Sequence, residues 1–243
     1  MSKRADLMLV ELGHYTSRAR AQAAIAAGRV HINGSLLTKA STPIAADARV
    51  EAAAAHAYVS RGGVKLAAAL EAFALDPSGL PCLDIGASTG GFTDVLLARG
   101  ALSVDAVDVG HGQFSARLAA DPRVRALEGL DARKLTAAHL RHPPQAIVCD
   151  VSFISQRLIW PHVLPLAAPQ CWLVTLIKPQ FEAGRENLVK GAVKDPAIHA
   201  QVCAGVRDTL SKLGWEGIGL IPSPISGGDG AREFLYAARH GPI

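Results

Sequence analysis

Beyond residue 62, short apolar runs alternate with longer stretches in which apolar residues recur at helical spacing. The apolar runs predict seven strands, at Cys82–Ile85, Val104–Val107, Val124–Leu127, Ala146–Cys149, Cys171–Ile177, Glu216–Ile221 and Phe234–Ala238. The other stretches predict helices at Gly63–Phe73, Phe92–Arg99, Ser115–Ala120, Leu135–Leu140, Ser155–Leu164 and Pro196–Leu213. Strands separated by helices are typical of a doubly wound, mostly parallel α/β sheet. Ligands bind such sheets at the carboxyl ends of the strands.

The first fifty residues have a different pattern. The predicted elements there are a helix over Ala5–Leu12, a second helix from a cap at Thr16 or Ser17 to Ala27, and a last strand at Val50. Between them, Asn33-Gly34 separates two alternating runs, which predicts a β-hairpin. We therefore expect a small α+β domain with its linker over residues 1–57 and a larger α/β domain over residues 58–243.

The charged side chains are unevenly distributed over the 243 residues. The formal net charge is +4, and residues 1–61 carry eight Lys or Arg against four Asp or Glu, so the rest of the chain is neutral. A basic unit beside a neutral one indicates a nucleic-acid partner; a solvated basic surface is the alternative.

Hydrophobic residues make up 49% of the chain, which argues for a substantial core and against disorder. The four cysteines form no C-x-x-C pair, so neither a zinc site nor a disulfide framework is expected, and no metal site is predicted. Neither a signal peptide nor an uncharged apolar run of about 18 residues is present, so we expect a cytoplasmic protein without membrane contact.

The first strand of the predicted sheet runs into a glycine turn and a helix start, over Leu83–Asp94. Such a junction presents backbone N–H groups to a ligand. A dinucleotide fingerprint needs glycine where Ser88 stands, so a nicotinamide cofactor is disfavoured and S-adenosylmethionine is predicted. A tight turn without a ligand is the alternative. The residues assigned to the cofactor in this segment are Asp84, Gly86, Ser88, Thr89, Gly90, Gly91 and Phe92.

Two further acidic residues follow the next two predicted strands. Asp108 ends the second strand. Its separation along the sequence from the glycine turn is about that at which an acid hydrogen-bonds ribose hydroxyls; a solvated carboxylate is the alternative. Asp131 follows the third strand and is assigned to the adenine amino group, or alternatively to the N-cap of a helix that begins near Arg133.

A lysine and an aspartate are predicted to meet at the same edge of the sheet. Asp150 follows the fourth strand and Lys178 the fifth, which Pro179 ends. We expect both strands on the same side of the first strand, so these two side chains lie beside the reactive end of the ligand. Lys65 and Glu233 are further candidates, for which an exposed charge without a role is the alternative.

The N-terminal unit resembles the S-four RNA-binding domain. The resemblance rests on Leu7, Gly13, Ser17-Arg18, Ala21, Gly28–Gly34 and Lys39-Ala40-Ser41, in that order. Arg18 and Gln22, four residues apart, share one helix face. The residues assigned to the RNA phosphate backbone are Arg4, Arg18, Arg20, Arg29 and Lys39.

The rest of the chain resembles the FtsJ-like ribose 2′-O-methyltransferases, and the whole arrangement resembles the TlyA, or hemolysin A, family. The matching segments are Tyr58–Gly63 with Lys65, Asp84–Phe92, Asp150–Ser155, Lys178–Glu182 and Glu233-Phe234. The resemblance implies a Rossmann-like, S-adenosylmethionine-dependent methyltransferase sheet whose last strand is antiparallel. It assigns catalysis to Lys65, Asp150, Lys178 and Glu233, with Asp150 also in the cofactor set. Glu182 is a second carboxylate near Lys178 that shares or replaces the role of Glu233 in an alternative assignment.

The implied reaction explains these residue types. A ribose 2′-hydroxyl is a poor nucleophile, so methyl transfer needs a group that takes its proton or stabilises the developing alkoxide. Lys178 has this role in the resemblance, Asp150 orients it, and Lys65 and Glu233 position the ribose. Burial and a neighbouring carboxylate act on a lysine in opposite directions, so base and cationic stabiliser both stay open.

The family resemblance implies cytidines of ribosomal RNA as substrate, with ribosomal RNA or a ribosomal subunit as partner. The sequence leaves the oligomeric state open, and a monomer is favoured. The short segments before the first helix and after the last strand favour large-subunit RNA, with small-subunit RNA as an addition. A methyltransferase acting on an RNA base is disfavoured because Asp150–Phe153 lacks the Pro-Pro of such enzymes. Two non-enzymatic functions, that of an RNA-binding protein and that of a hemolysin, also stay open.

Overall fold

The computed structural model describes residues 2–15, 17–52, 57–227 and 230–242. The chain divides into two compact units, residues 1–57 and 58–243. Thr16, one of the two candidate caps of the second helix, lies outside the described residues, as does the 53–56 part of the predicted linker.

The first unit contains two helices and two small antiparallel sheets. Its helices are α1 (Ala5–Glu11) and α2 (Arg18–Ala26), and its strands are β1 (Ser2–Arg4), β2 (Val30–Ile32), β3 (Ser35–Leu36), β4 (Pro43–Ala45) and β5 (Val50–Ala52). One sheet has the order β3-β2-β5, and β1 pairs with β4. The core is formed by side chains from both helices and from the strands, among them Met8, Leu9, Ile25, Val30 and Ile44.

Both predicted helices, the hairpin and the last strand of this unit are confirmed. Ser17 is the N-cap of α2 and its side chain accepts a hydrogen bond from Arg20 N. Asn33 and Gly34 have φ angles of 51° and 79°, the left-handed pair that a tight two-residue hairpin needs. The pairing of β1 with β4 was not predicted, because three-residue strands with mostly exposed side chains show no apolar alternation.

The second unit is built on a seven-stranded sheet of order β11-β12-β10-β9-β6-β7-β8. Its strands are β6 (Pro81–Ile85), β7 (Ser103–Asp108), β8 (Val124–Glu128), β9 (Ala146–Cys149), β10 (Cys171–Ile177), β11 (Glu216–Pro222) and β12 (Phe234–His240). The central pairs are parallel, whereas β12 is antiparallel to β10 and to β11. The predicted mostly parallel sheet with an antiparallel last strand is confirmed, and β9 and β10 extend it on one side of β6.

Helices cover both faces of this sheet. They are α3 (Gly62–Ala72), α4 (Gly91–Ala98), α5 (Ala116–Ala119), α6 (Trp160–Val163), α7 (Pro179–Glu182) and α8 (Pro196–Lys212). Successive strand residues enter opposite cores: Leu83, Ile147 and Leu173 pack with α6 and α8, while Val148 and Val174 pack with α3 and α4. Each of these strands therefore has apolar side chains on both faces, and its sequence is a continuous apolar run that indicates burial on both sides.

Two predicted helices are wrong. Leu135–Leu140 forms no α-helix but follows one 3-10 turn, Ala132–Lys134, and includes another, Ala137–His139. Thr136 separates the turns because its backbone is extended and its N–H donates to His139 Nδ1, 3.1 Å away.

The predicted helix over Ser155–Leu164 is also interrupted. It consists of a 3-10 turn at Gln156–Leu158, the single-turn helix α6, and a second 3-10 turn at Leu164–Leu166. Pro161 and Pro165 each lack the N–H that a continuous helix would need, so the segment cannot form one.

No helix within the described ranges is both long and apolar enough to cross a membrane. No group of three or more His, Cys, Asp or Glu side chains in the same ranges is arranged to hold a metal ion. The four cysteines are buried and unpaired, and burial raises the pKa of the Cys82 thiol to about 12.

Candidate active site

A cleft of about 290 Å³ lies at the carboxyl ends of the central strands. The glycine turn after β6 lines it with residues 86–89, 91 and 92, and the start of α3 contributes residues 60–62 and 65. Asp150 and Ser152, which follow β9, and Lys178, which follows β10, complete the lining. Parallel strands explain the convergence, because their carboxyl ends share one edge of the sheet.

Close packing fixes the glycine turn. Gly86 has a φ angle of +79°, and a Cβ atom there would lie 2.6 Å from the backbone oxygen of Asp150. Gly90 has a φ angle of +92°, and a Cβ atom there would lie 2.5 Å from the Leu118 side chain. Glycine is therefore required at both positions, at Gly86 for contact with the loop that follows β9 and at Gly90 to begin α4.

Asp84 lies beneath the turn and not in the cleft. Its carboxylate is completely buried, and Oδ2 accepts hydrogen bonds from Thr93 N and Thr93 Oγ1 at 2.9 and 2.6 Å. Oδ1 has no hydrogen-bond partner among the described residues. Burial raises the pKa of Asp84 to about 7, with the nearby charge of Asp150 adding to the effect and the bonds from Thr93 opposing it.

The structure brings Asp150 and Lys178 together. Lys178 Nζ lies 2.6 Å from Asp150 Oδ1 and donates a hydrogen bond of 2.8 Å to Ser152 Oγ. Both charged side chains are mostly shielded from solvent, with 12% of Lys178 and 21% of Asp150 exposed. Two oxygen atoms therefore hold one ammonium group beside the glycine turn.

Lys65 and Glu233 form a second ion pair. Lys65 Nζ and Glu233 Oε2 are 2.5 Å apart, and both side chains are buried. Lys65 lines the cleft from α3, whereas Glu233 precedes β12 and reaches the cleft only through Lys65. The two pairs leave this part of the cleft with no net charge.

Glu182 does not replace Glu233. Its oxygens accept hydrogen bonds from Ser155 Oγ at 2.6 Å and from Gln156 N at 2.8 Å, so it contacts the loop after β9 and not Lys65. Burial raises the pKa of Glu182, and its hydrogen bond from Ser155 opposes this.

Asp108 and Asp131 lie at strand ends, as predicted, but neither lines the cleft. Asp108 accepts hydrogen bonds from Ser88 N at 2.8 Å and from Gly110 N at 2.7 Å, so it links the glycine turn to the following loop. Asp131 is the N-cap of the turn at Ala132–Lys134, and its hydrogen bond from the Arg133 side chain lowers its pKa to about 2. The carboxylates of both residues are thus already engaged by their own loops.

Sequence reasoning missed Ser60, Arg61, Gly62 and Ser152 as lining residues. A signal existed for Ser152, because it stands two residues after Asp150 on a segment without regular structure. Residues 60–62 belong to the Tyr58–Gly63 segment that carries the family resemblance, but the sequence does not show that the packing of α3 brings them to the turn: a Cβ atom on Gly91 would overlap Ser60 Oγ.

In the first unit, two of the assigned arginines share a buried carboxylate. Asp6 is completely buried and accepts hydrogen bonds from Arg4 at 3.0 Å, Arg18 at 3.1 Å and Gln22 at 2.6 Å. The hydrogen bond from Arg4 holds the pKa of Asp6 far below its usual range. The two guanidinium groups remain about half exposed.

The other three assigned cations differ from this pair. Arg29 and Lys39 are exposed, and Arg20 is partly buried on α2. The predicted shared face of Arg18 and Gln22 is confirmed, because both side chains reach Asp6.

Family models match both units. The FtsJ-like methyltransferase model matches residues 58–240, and the S4 domain model matches residues 3–50. The chain belongs to the FtsJ-like methyltransferase family. The predicted combination of an S-four unit with an FtsJ-like domain is confirmed, so this methyltransferase is a TlyA-type enzyme with an RNA-binding unit.

Individual relatives agree with this membership. The 16S/23S rRNA (cytidine-2′-O)-methyltransferase TlyA of Mycobacterium tuberculosis is 41% identical over 97% of this chain and 89% of its own. The 23S rRNA (cytidine-2′-O)-methyltransferase TlyA of Campylobacter jejuni is 34% identical over 74% of this chain and 70% of its own.

Solved structures share the fold. A structure from Streptococcus thermophilus described as a "putative hemolysin" superposes on this methyltransferase with a TM-score of 0.78 and 38% identity, covering 99% of this chain and 89% of that chain. Methyltransferase structures of 15–16% identity and TM-scores of 0.52–0.58 show the same sheet, and one of them holds S-adenosylhomocysteine.

Proposed function

We propose that this protein transfers a methyl group from S-adenosylmethionine to the ribose 2′-hydroxyl of a cytidine in ribosomal RNA, with large-subunit RNA as its first substrate. The observation that carries the proposal is the pairing of Lys178 with Asp150, 2.6 Å apart, in the cleft lined by the glycine turn. The two TlyA relatives support this substrate. Both are named for 23S rRNA, and the M. tuberculosis enzyme is named for 16S rRNA as well.

The size of the cleft suits S-adenosylmethionine. Its volume lies near the lower end of the range for small-molecule sites, and the glycine turn lines it with residues 86–89. Asp150 supplies a carboxylate among the lining residues, opposite in charge to the sulfonium group of the proposed ligand. When bound, this cofactor supplies an electrophilic methyl group.

The proposed cofactor residues act at two levels. Gly86, Ser88, Thr89, Gly91, Phe92 and Asp150 line the cleft. Asp84 and Gly90 act from beneath it by fixing the start of α4. Asp108 and Asp131 remain proposed for the ribose and the adenine amino group, at the ends of β7 and β8.

Lys178 is the proposed catalytic group. It takes the proton of the 2′-hydroxyl or stabilises the developing alkoxide, and in both cases its Nζ must lie within hydrogen-bond distance of that oxygen. Asp150 and Ser152 restrict the position of Nζ by contacts of 2.6 and 2.8 Å. Lys65, held by Glu233, is proposed to position the ribose from α3.

The first unit is proposed to hold the RNA backbone. Arg4, Arg18, Arg20, Arg29 and Lys39 are the assigned phosphate contacts. The cofactor turn and all four proposed catalytic residues belong to one chain, so a monomer suffices, and a ribosomal substrate places it in the cytoplasm.

Tritiated methyl transfer to purified, unmethylated 50S and 30S subunits and to free RNA tests the proposal. We expect label in large-subunit RNA, mapped by nuclease digestion to the ribose of a cytidine. Label on a base would replace ribose methylation by base methylation, and label in 30S subunits alone would reverse the preferred substrate. Absence of label in every RNA would reject the enzymatic proposal.

A further inference from the structure

The loop that follows β9 carries two of the groups around Lys178. Asp150 and Ser152 both contact Lys178 Nζ, yet residues 150–155 form no helix or strand. Whatever fixes this loop therefore also fixes the geometry of the proposed catalytic ammonium.

The loop is anchored at its first residue by the sheet. Asp150 N donates a hydrogen bond of 2.9 Å to Ile85 O, and the Asp150 backbone packs against Gly86. This contact joins the loop to β6 and does not join its later residues to the segment that carries Lys178.

Glu182 provides the hold at the far end of the loop. Its side chain is 1% exposed, and its two oxygens accept from Ser155 Oγ and Gln156 N. Glu182 ends α7, the helix that begins directly after Lys178, and Phe181 N donates to Lys178 O at 2.9 Å. One buried carboxylate thus joins the end of the loop to the helix that follows the catalytic lysine.

Gln156 joins the same point to β10. Its Nε2 donates to Leu176 O at 2.7 Å, and its Oε1 accepts from Thr175 Oγ1 at 2.8 Å. The far end of the loop is therefore bound both to β10, the strand before Lys178, and to α7, the helix after it.

We infer that Glu182 is a positioning residue, which sets the separation of Asp150 and Ser152 from Lys178 by holding the end of their loop. The inference rests on the proposed function of Lys178. Glu182 acts through Ser155 and Gln156 and does not touch the reacting groups. A catalytic group displaced by about 1 Å can lose roughly a hundredfold in rate. Without Glu182 the loop keeps its bonds at Asp150 and Gln156 but loses its link to the helix that follows Lys178, so a slower reaction is expected.

The test compares Glu182→Ala with Glu182→Gln in the full-length protein. The alanine variant is expected to lower the single-turnover methyl-transfer rate by about 30- to 100-fold, while the Kd for S-adenosylmethionine changes by less than about threefold. The glutamine variant keeps an acceptor for Gln156 N and a donor for Ser155 Oγ, so its rate is expected within about fivefold of the unmodified protein.

Asp105→Ala is the matched control for a general loss of stability. Asp105 is also a buried carboxylate and accepts from Arg125 Nε at 3.0 Å and Arg141 N at 2.9 Å, on the opposite side of β6 from Lys178. This variant is expected to lower the melting temperature without changing the methyl-transfer rate. Ser155→Ala, which removes one of the two bonds to Glu182, is expected to lower the rate by about three- to tenfold and covers the case in which Glu182→Ala does not fold.

Lys178→Ala separates the two proposals. If it is inactive while Glu182→Ala and Ser155→Ala both retain the full rate, the positioning role is rejected and the proposed function stands. If Lys178→Ala is as active as the unmodified protein, the catalytic assignment itself is rejected. A Glu182→Gln rate as low as that of Glu182→Ala also overturns the inference, because the two hydrogen bonds would then not account for the effect.

Discussion

Among the residues that the structure describes, each unit buries one carboxylate completely, and the surroundings of the two groups are opposite. Asp6 in the first unit accepts from two arginines and a glutamine, and the bond from Arg4 lowers its pKa. Among the described residues of the second unit, Asp84 accepts only from Thr93, and burial raises its pKa to about 7. The same side chain is therefore a stable anion in one unit and a group close to neutrality in the other.

The difference matches the charge of the ligand that each unit is proposed to hold. Around Asp6, two half-exposed guanidinium groups outnumber one buried anion, so the surface presents net positive charge to RNA phosphates. Around Asp84, the nearby charges are the carboxylates of Asp150 and Asp108, beside a cleft proposed for a cationic cofactor. Five changes test this contrast, in order of decreasing effect.

Removal of the proposed catalytic ammonium tests whether the chemistry resides in the second unit alone. Lys178→Ala is expected to lower the methyl-transfer rate by about 10³-fold, because the proton of the 2′-hydroxyl then has no positioned acceptor or neighbouring cation. The Kd for S-adenosylmethionine, measured by calorimetry, is expected to change little. Lys212→Ala removes the same charge from the exposed end of α8 and is expected to leave the rate unchanged; equal losses in both variants would remove the case for Lys178.

Titration of Asp84 tests the buried acid of the second unit. Because its folded-state pKa is raised from 3.8 to about 7, the unfolded chain ionises first as the pH rises. The stabilising contribution is full below pH 4 and is lost between about pH 4 and 7, with a total of about 2–4 kcal/mol. Asp84→Asn is expected to remove this pH dependence from denaturant unfolding followed by fluorescence, since Trp160, Trp172 and Trp215 all belong to this unit.

Asp6→Asn is the counterpart in the first unit and has the opposite sign. Because its pKa is lowered in the folded protein, Asp6 stabilises the fold at pH values above its pKa in the unfolded chain. This stabilisation is lost only as the pH falls through the lower pKa of the folded protein. Between about pH 5 and 8 the difference between this variant and the unmodified protein is expected to stay constant. Hydrogen exchange of α2 amides measures it, and a slope like that of Asp84 would erase the contrast between the two units.

A methyl group on Gly86 tests how closely the glycine turn packs against the loop that follows β9. Gly86→Ala combines a left-handed backbone with a Cβ atom 2.6 Å from Asp150 O, so we expect a loss of about 2–4 kcal/mol in stability and weaker cofactor binding. Gly79→Ala has a similar φ angle of +71° but meets nothing within 4 Å. Its cost is expected near about 1 kcal/mol. Similar costs for the two variants would show that strain, and not the contact with Asp150, explains Gly86.

The two units also differ in how much the sequence revealed. Strands such as β9 and β10 were predicted with their observed bounds, because uninterrupted apolar runs between turns have few other structures. The meeting of Asp150 with Lys178 followed from strand order. The buried acid of the first unit was not recognised: Asp6 finds Arg18 and Gln22 only when α1 packs against α2, and a single acid on a short helix gives no sign of this. The Leu135–Leu140 helix failed because a local bond at Thr136 outweighed the apolar spacing.

The smallest effect concerns the surface of the first unit. Arg18→Ala is expected to weaken RNA binding by about tenfold and to reduce the slope of log K against log salt by about 1, as loss of one phosphate contact should. Filter binding of ribosomal RNA across a series of salt concentrations measures both quantities. Catalysis at saturating RNA should not change, since Arg18 belongs to the first unit and the proposed catalytic groups to the second.

Arg49→Ala gives this last comparison its sharpest form. Arg49 is an exposed arginine of the same unit, paired with Glu51 at 3.0 Å, and it is not among the assigned RNA contacts. Both variants remove one positive charge, so a general electrostatic attraction would weaken RNA binding equally in the two. If only Arg18→Ala loses affinity, RNA binding depends on where the arginine lies, beside Asp6. Equal losses would mean that the first unit attracts RNA by net charge alone.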